Sequence, residues 1–203
     1  MRPPTTVLLV RHGSNDYVGR ALAGRSLGVH LNAAGRAEAG RLARRLAPLP
    51  IAAVYSSPLE RAVETAAPLA VARSLDPRLV EAAAEIDFGE WTGRTIAELE
   101  ADPLWRRFNT ERSTTRPPGG ELMAEAQARM VGAVEDLRAA HPGETIALVS
   151  HADVIRAALA HYAGIPLDAI GRFEIRPASV TTLRLWDAWT LVLGVNDIGG
   201  LPL

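Results

Sequence analysis

Thr6-Val7-Leu8-Leu9-Val10 runs into Arg11-His12-Gly13, and Thr145-Ile146-Ala147-Leu148-Val149 runs into Ser150-His151-Ala152. Both are short apolar runs rich in branched side chains, the pattern of a strand covered on both faces. A third, Ile51-Ala52-Ala53-Val54-Tyr55, ends at Ser57-Pro58-Leu59-Glu60. There Ser at the N-cap, Pro at the first helical position and Glu two residues later predict a helix to about residue 73. Asn32 predicts a capped helix to about residue 46, and longer amphipathic stretches follow at about 121–140 and 152–163. Leu79-Val80 reads as a short strand, and 180–186 with 190–195 as a closing hairpin around Asp187-Ala188-Trp189. Strands alternating with helices predict a three-layer α/β sandwich with a mostly parallel central sheet. One domain over 1–203 is expected. Its exception is 86–120, where glycines and prolines predict irregular chain forming a short lid or insertion.

Composition excludes several function classes. The 22 basic and 23 acidic residues balance to −1, so neither a nucleic-acid surface nor a polyanionic tail is expected. Every basic residue is arginine, which removes a P-loop lysine, a Schiff base and a lysine general base. Without cysteine there is no thiol nucleophile and no Cys-ligated zinc. No His-Glu-x-x-His occurs, so no metal or other cofactor is expected. No apolar run reaches the length of a signal core or a membrane span, and the chain reads as cytoplasmic with no membrane partner.

The chemistry lies where strands end, because sites in α/β sheets form outside the carboxyl ends of strands. His12 and His151 hold equivalent positions after two strands and can share one pocket; alternatively, each is a surface turn residue. Arg11 reaches the same edge. So does Arg61, because helical side chains lean toward the helix N-terminus; the bland alternative is an ion pair with Glu60 or Glu64. Two arginines and two histidines fit a phosphate pocket, since a guanidinium binds phosphate oxygens bidentately. The helix starting near Ala152 adds N–H donors. Glu85 is a candidate acid, but spacing alone leaves Asp87 and Glu90 equally eligible. Arg106, Arg107, Arg112 and Arg116 read either as a solvated face or as a phosphate clamp.

At Arg11-His12-Gly13 the chain resembles the histidine phosphatase superfamily, the phosphoglycerate mutase-like proteins. The resemblance spans nearly the whole chain. It also rests on the Ser56 to Ala66 block, on Glu85-Ile86-Asp87-Phe88-Gly89-Glu90-Trp91-Thr92-Gly93, on Pro118-Gly119-Gly120-Glu121 and on Val149-Ser150-His151-Ala152. Leu22-Ala23-Gly24-Arg25 further resembles a bacterial branch described as phosphomutases.

The resemblance implies that His12 is the nucleophile that becomes phosphohistidine. Arg11, Arg61 and His151 then hold the phosphoryl oxygens, and Glu85 is the proton donor. Gly13, Asn15, Gly24 and Ala152 complete the implied substrate-binding set. Family members often carry Thr or Ser and then Asn where this chain has Asn15 and Val18; Asn15 can replace one polar contact, Val18 cannot. The expected activity is metal-independent hydrolysis of a small phosphomonoester. Phosphoglycerate mutase-type transfer is the alternative, and a catalytically idle phospholigand-binding module a third reading. Because mutases of the family are usually longer after the acid, the compact 94–120 segment favours hydrolysis. The expected partner is a small phosphorylated substrate, and a homodimer is compatible with this reading.

Overall fold

The computed structural model describes residues 2–199. Six strands form one sheet in the order β3-β2-β4-β1-β5-β6. They are β1 (Thr5–Arg11), β2 (Ile51–Ser56), β3 (Arg78–Leu79), β4 (Thr145–Ser150), β5 (Val180–Leu185) and β6 (Thr190–Asp197). The first four run parallel; β5 and β6 are the antiparallel hairpin on one edge. Helices α1 (Ala33–Leu46) and α2 (Glu60–Val71) cover one face, and α5 (Met123–Ala140) and α6 (Ala152–Ala163) the other.

The alternation of side chains along a strand explains the three layers. Val7 and Leu9 point toward α5 and α6, joining Met130, Val134, Ile155 and Leu159. Leu8 and Val10 point the other way, onto Leu42, Leu46, Ala66 and Leu69. Both sets are buried, and each such side chain contributes roughly 1.5–3 kcal/mol by leaving water. A central strand must therefore be apolar at every position, which is why these runs stand out in the sequence.

Two local expectations change. The helix after β2 starts at Glu60 with Leu59 at its N-cap, not at Ser57, and ends at Val71. The Ser57 hydroxyl is engaged by His151 across the sheet edge instead. The 86–120 segment is not irregular either. It holds a turn of 3₁₀ helix (Gly89–Trp91) and helices α3 (Ile96–Glu100) and α4 (Pro103–Thr110). Thr95 caps α3 in a capping box with Glu98, and Asp102 caps α4 ahead of Pro103. Phe88, Trp91, Leu99 and Phe108 pack with Met123 and Ala157 into a third apolar cluster. Among the described residues, no helix is long and apolar enough to cross a membrane.

Candidate active site

Register brings the two histidines together. Strands β1 and β4 are neighbours, with Arg11 opposite Ser150, so the residue after each strand lands at the same level. The His12 N–H bonds the Ser150 carbonyl at 3.0 Å, and the two imidazole centroids lie 5.1 Å apart. Both rings are buried.

Hydrogen bonds set what each ring can do. The His12 Nδ1–H donates to the Gly13 carbonyl at 2.7 Å, which leaves Nε2 with its lone pair. The Ser57 hydroxyl lies 2.8 Å from His151 Nε2 and accepts the Leu59 N–H. With no other acceptor for its proton among the described residues, the hydroxyl donates to His151, and the ring's Nδ1–H is then a donor with no partner among the described residues. Burial, reinforced by the charges of Arg11 and Arg61, holds His12 well below the ordinary imidazole range. Burial does the same for His151, helped by His12 and the two arginines. Both rings are neutral at pH 7, as an imidazole nucleophile must be.

Arg61 is fully buried on the first turn of α2. Its Nη2 donates to the Gly24 carbonyl at 2.7 Å, while Nε and Nη1 have no protein partner. Arg11 donates through Nη1 to the Ile175 carbonyl at 2.7 Å, and its Nε is likewise unpartnered. A buried donor without an acceptor costs about 1–3 kcal/mol, more when charged. Three such donors sit on two arginines that line the cavity with His12, and a fourth on the ring packed against it, an arrangement suited to an anion. Ala152 opens α6 beside them, so the helix N-terminus faces the same space.

Arg11, His12, Arg61 and Glu85 line a cavity of about 180 Å³ together with Asn15, Gly24, Ala152 and Asp153. Glu85 is partly accessible from this cavity but otherwise enclosed. Its carboxyl is pushed up to about 7 by burial and by the nearby charge of Asp153, against the pull of Arg61 and Arg11. Asp87 and Glu90 do not line the cavity. Asp87 accepts the Gly89 N–H instead, so of the three carboxylates that spacing leaves open Glu85 is the one that lines the cavity. Asn15 lines the cavity, and its Oδ1 accepts from the Tyr17 and Val18 N–H groups. Gly13 is needed for close approach: a Cβ there would sit 2.7 Å from the Gly35 carbonyl oxygen. Its N–H donates to Thr65, which in turn bonds the Arg61 carbonyl.

The sequence reading missed Asp153, Arg156, Ser57 and Thr65. Asp153 accepts from Arg156 at 2.9 Å and pairs with Arg112 at 3.2 Å. Burial alone would raise its carboxyl, but Arg112 and Arg156 outweigh that and hold it below the usual aspartate range. The spacing Asp153-x-x-Arg156 on one helix was a legible signal; the reach of Arg112 from 86–120 was not. Of the basic stretch, Arg112 is buried over Phe108, while Arg106, Arg107 and Arg116 bond Glu100, Glu111 and Glu125.

The profile of the histidine phosphatase superfamily (branch 1) matches residues 7–198. A bifunctional protein of Mycobacterium tuberculosis is 36% identical over 211 residues, covering 98% of this chain and 55% of its own. The chain thus spans about half the length of that relative. Phosphoserine phosphatase 1 of Hydrogenobacter thermophilus is 30% identical over 194 residues, covering 94% of this chain and 91% of its own. A solved mycobacterial glucosyl-3-phosphoglycerate phosphatase superposes with a TM-score of 0.85 at 29% identity, covering 95% of this chain and 98% of its own. With profile, relatives and fold in agreement along almost its whole length, the chain belongs to the histidine phosphatase superfamily.

Proposed function

We propose that the chain is a metal-independent phosphatase that hydrolyses a small phosphomonoester through a phosphohistidine on His12. The observation that carries this is the set of unpartnered buried donors on Arg11 and Arg61, which line one cavity with His12, and on His151, whose ring packs against that of His12. Such donors match the three equatorial oxygens of a transferring phosphoryl group. A loose phosphoryl transition state needs positioning and positive charge above all.

In the first step the His12 Nε2 pair forms a bond to phosphorus as the bond to the ester oxygen breaks. The Glu85 carboxyl gives its proton to that oxygen, so the alcohol leaves neutral. Water then attacks the phosphohistidine on the same axis, and the Glu85 carboxylate takes its proton. His12 is regenerated with release of inorganic phosphate.

Cavity size supports a small ester. At about 180 Å³ it lies below the roughly 300–1,000 Å³ usual for drug-sized ligands. Engagement of the outer arginines supports water as acceptor. Arg94 pairs with Asp102, Arg107 with Glu111, Arg112 with Asp153 and Arg116 with Glu125, so four of the five arginines at 94, 106, 107, 112 and 116 are already committed to protein carboxylates. The names of the phosphoserine and glucosyl-3-phosphoglycerate phosphatase relatives agree with hydrolysis.

The test is phosphate release from a panel of small phosphomonoesters by wild type and His12→Ala. Turnover of at least one ester that disappears in a folded His12→Ala protein is expected. Equal turnover by both proteins overturns the assignment. Binding of inorganic phosphate without turnover of any ester would favour the idle binding module.

A further inference from the structure

Three charged side chains outside the cavity converge on the backbone of Glu85. Arg129, on α5, uses all five of its N–H donors. Nη1 bonds the Ala82 and Ala84 carbonyls at 2.6 and 2.7 Å, and Nη2 the Glu85 carbonyl at 3.1 Å. The remaining two donors grip both oxygens of Glu121, at 2.7 and 2.9 Å. Arg25 approaches from the opposite side. Its Nε bonds the same Glu85 carbonyl at 2.8 Å and its Nη2 the same Glu121 carboxylate at 2.9 Å. Glu121 is thus clamped between two guanidiniums, each of which also holds the Glu85 peptide.

The Glu121 backbone completes the frame. Its N–H bonds the Asp87 carbonyl at 2.9 Å, and its carboxylate accepts the Asp87 N–H at 3.3 Å. Gly120 permits this approach, since a Cβ there would stand 2.5 Å from the Asp87 carbonyl oxygen. None of these three charged groups lines the cavity that holds His12.

The grip passes directly to the acid. Glu85 Oε1 accepts the N–H of Ile86, which shares one planar peptide unit with the Glu85 carbonyl, at 3.0 Å. The carboxyl therefore turns with the peptide plane that Arg25 and Arg129 hold. Phosphate-side geometry enters through the same loop. Gly24, directly before Arg25, presents its carbonyl to Arg61. One short segment thus spaces the phosphate-binding guanidinium from the proton donor.

We propose that Arg129, Glu121 and Arg25 form a positioning set that aims the Glu85 carboxyl at the leaving-group oxygen. The proposal rests on the assignment of Glu85 as general acid and deepens it. Misplacing a catalytic group by about 1 Å can cost on the order of 10²-fold, and general acid help is worth roughly 10²–10⁴-fold. The loss falls on esters whose alcohol leaves poorly, because a stable aryloxide needs little protonation.

The experiment measures kcat/KM on substituted phenyl phosphates, from p-nitrophenyl to unsubstituted phenyl, so that shape stays constant while the leaving group worsens. The proteins are wild type, Glu85→Gln, Arg129→Lys, Arg25→Ala and the double variants with Glu85→Gln. Arg25 is half-exposed, so its variant tests the idea even if Arg129→Lys does not fold. Arg129→Lys and Arg25→Ala should lose about 10- to 100-fold on phenyl phosphate and several-fold less on p-nitrophenyl phosphate. In the Glu85→Gln background they should add no leaving-group-dependent loss. A uniform loss in both variants, or a leaving-group dependence that persists without the Glu85 acid, overturns the positioning set and leaves the acid assignment standing. A uniform loss in Glu85→Gln itself overturns the acid assignment and the proposal with it.

Discussion

His12 and Glu85 share one cavity and are displaced in opposite directions, which fixes the pH behaviour of the site. His12 sits well below its ordinary value and stays neutral down to mildly acidic pH. Glu85, raised to about 7, still holds its proton there. The proposed nucleophile and the proposed acid are therefore both in the protonation state the reaction requires, in a window that closes above about pH 7. For phenyl phosphate, kcat/KM should fall about tenfold per pH unit above that point, and Glu85→Gln should flatten this limb at a lower plateau. A limb that persists in Glu85→Gln would place the titrating acid elsewhere.

The same shifts govern stability, with opposite signs. The unfolded chain protonates His12 and His151 as pH falls below 6.5, while the folded protein does not, so stability is lost on that side. Glu85 is raised from 4.5, so the folded state gives up stability as pH climbs from 4.5 to about 7, and the deficit remains above that. Glu85→Gln removes this penalty. Its melting temperature should rise relative to wild type at about pH 8, by about 2–4 °C per kcal/mol recovered, and gain little at about pH 5. Thermal scans at the two pH values check this; an equal shift at both would mean that ionisation of Glu85 costs the fold nothing.

At the scale of elements, the strands were the legible part of the fold. Val7 to Val10 and Ile146 to Val149 must be apolar throughout because helices press on both faces, and that constraint shows in composition. The Asn32 cap was equally plain, with its side chain accepting the Gly35 N–H at 3.0 Å. Ser57 misled for a physical reason. A hydroxyl before a helix can serve the helix or a distant partner; this one accepts the Leu59 N–H and also bonds His151, 94 residues away in sequence, while the helix itself starts only at Glu60. The helices of 86–120 stayed hidden because they are five and eight residues long, one or two turns each, too short for an apolar stripe to repeat between the surrounding glycines and prolines.

Element packing also makes a prediction. Helix α1 begins so close to the His12 loop that a Cβ on Gly35 would lie 2.0 Å from the Ser14 carbonyl oxygen. Gly35→Ala should cost about 1–3 kcal/mol as an overpacked contact and also depress turnover, because Ser14 is two residues from His12. Urea unfolding and kcat/KM on p-nitrophenyl phosphate check both arms. Unchanged stability would show that the α1 contact yields.

For the molecule as a whole, the sheet edge carrying the ends of β1 and β4 brings together the proposed phosphate-binding groups, and backbone hydrogen bonds tie the 87–90 and 118–121 stretches to each other. His12, His151, Arg11 and Arg61 were readable in advance because strand ends and a helix start fix where they point. Glu85 was not separable from Asp87 and Glu90 by spacing, since the distinction depends on a fold that turns one carboxyl inward and ties another to the Gly89 N–H. The reach of Arg112 to Asp153 and the Arg129 frame depend on contacts between segments distant in sequence, and no local pattern announces them.

The central claim is that the phosphoryl group passes through His12 to water. Rapid acid-free quenching with a radiolabelled phosphomonoester, followed by peptide mapping, tests it most directly. Label should appear transiently on the peptide carrying His12, should be absent in His12→Ala, and should decay as inorganic phosphate. Added 3-phosphoglycerate should not divert it into 2,3-bisphosphoglycerate. Label on His151, no labelled protein at any time during turnover, or transfer to 3-phosphoglycerate in place of phosphate release would contradict the account.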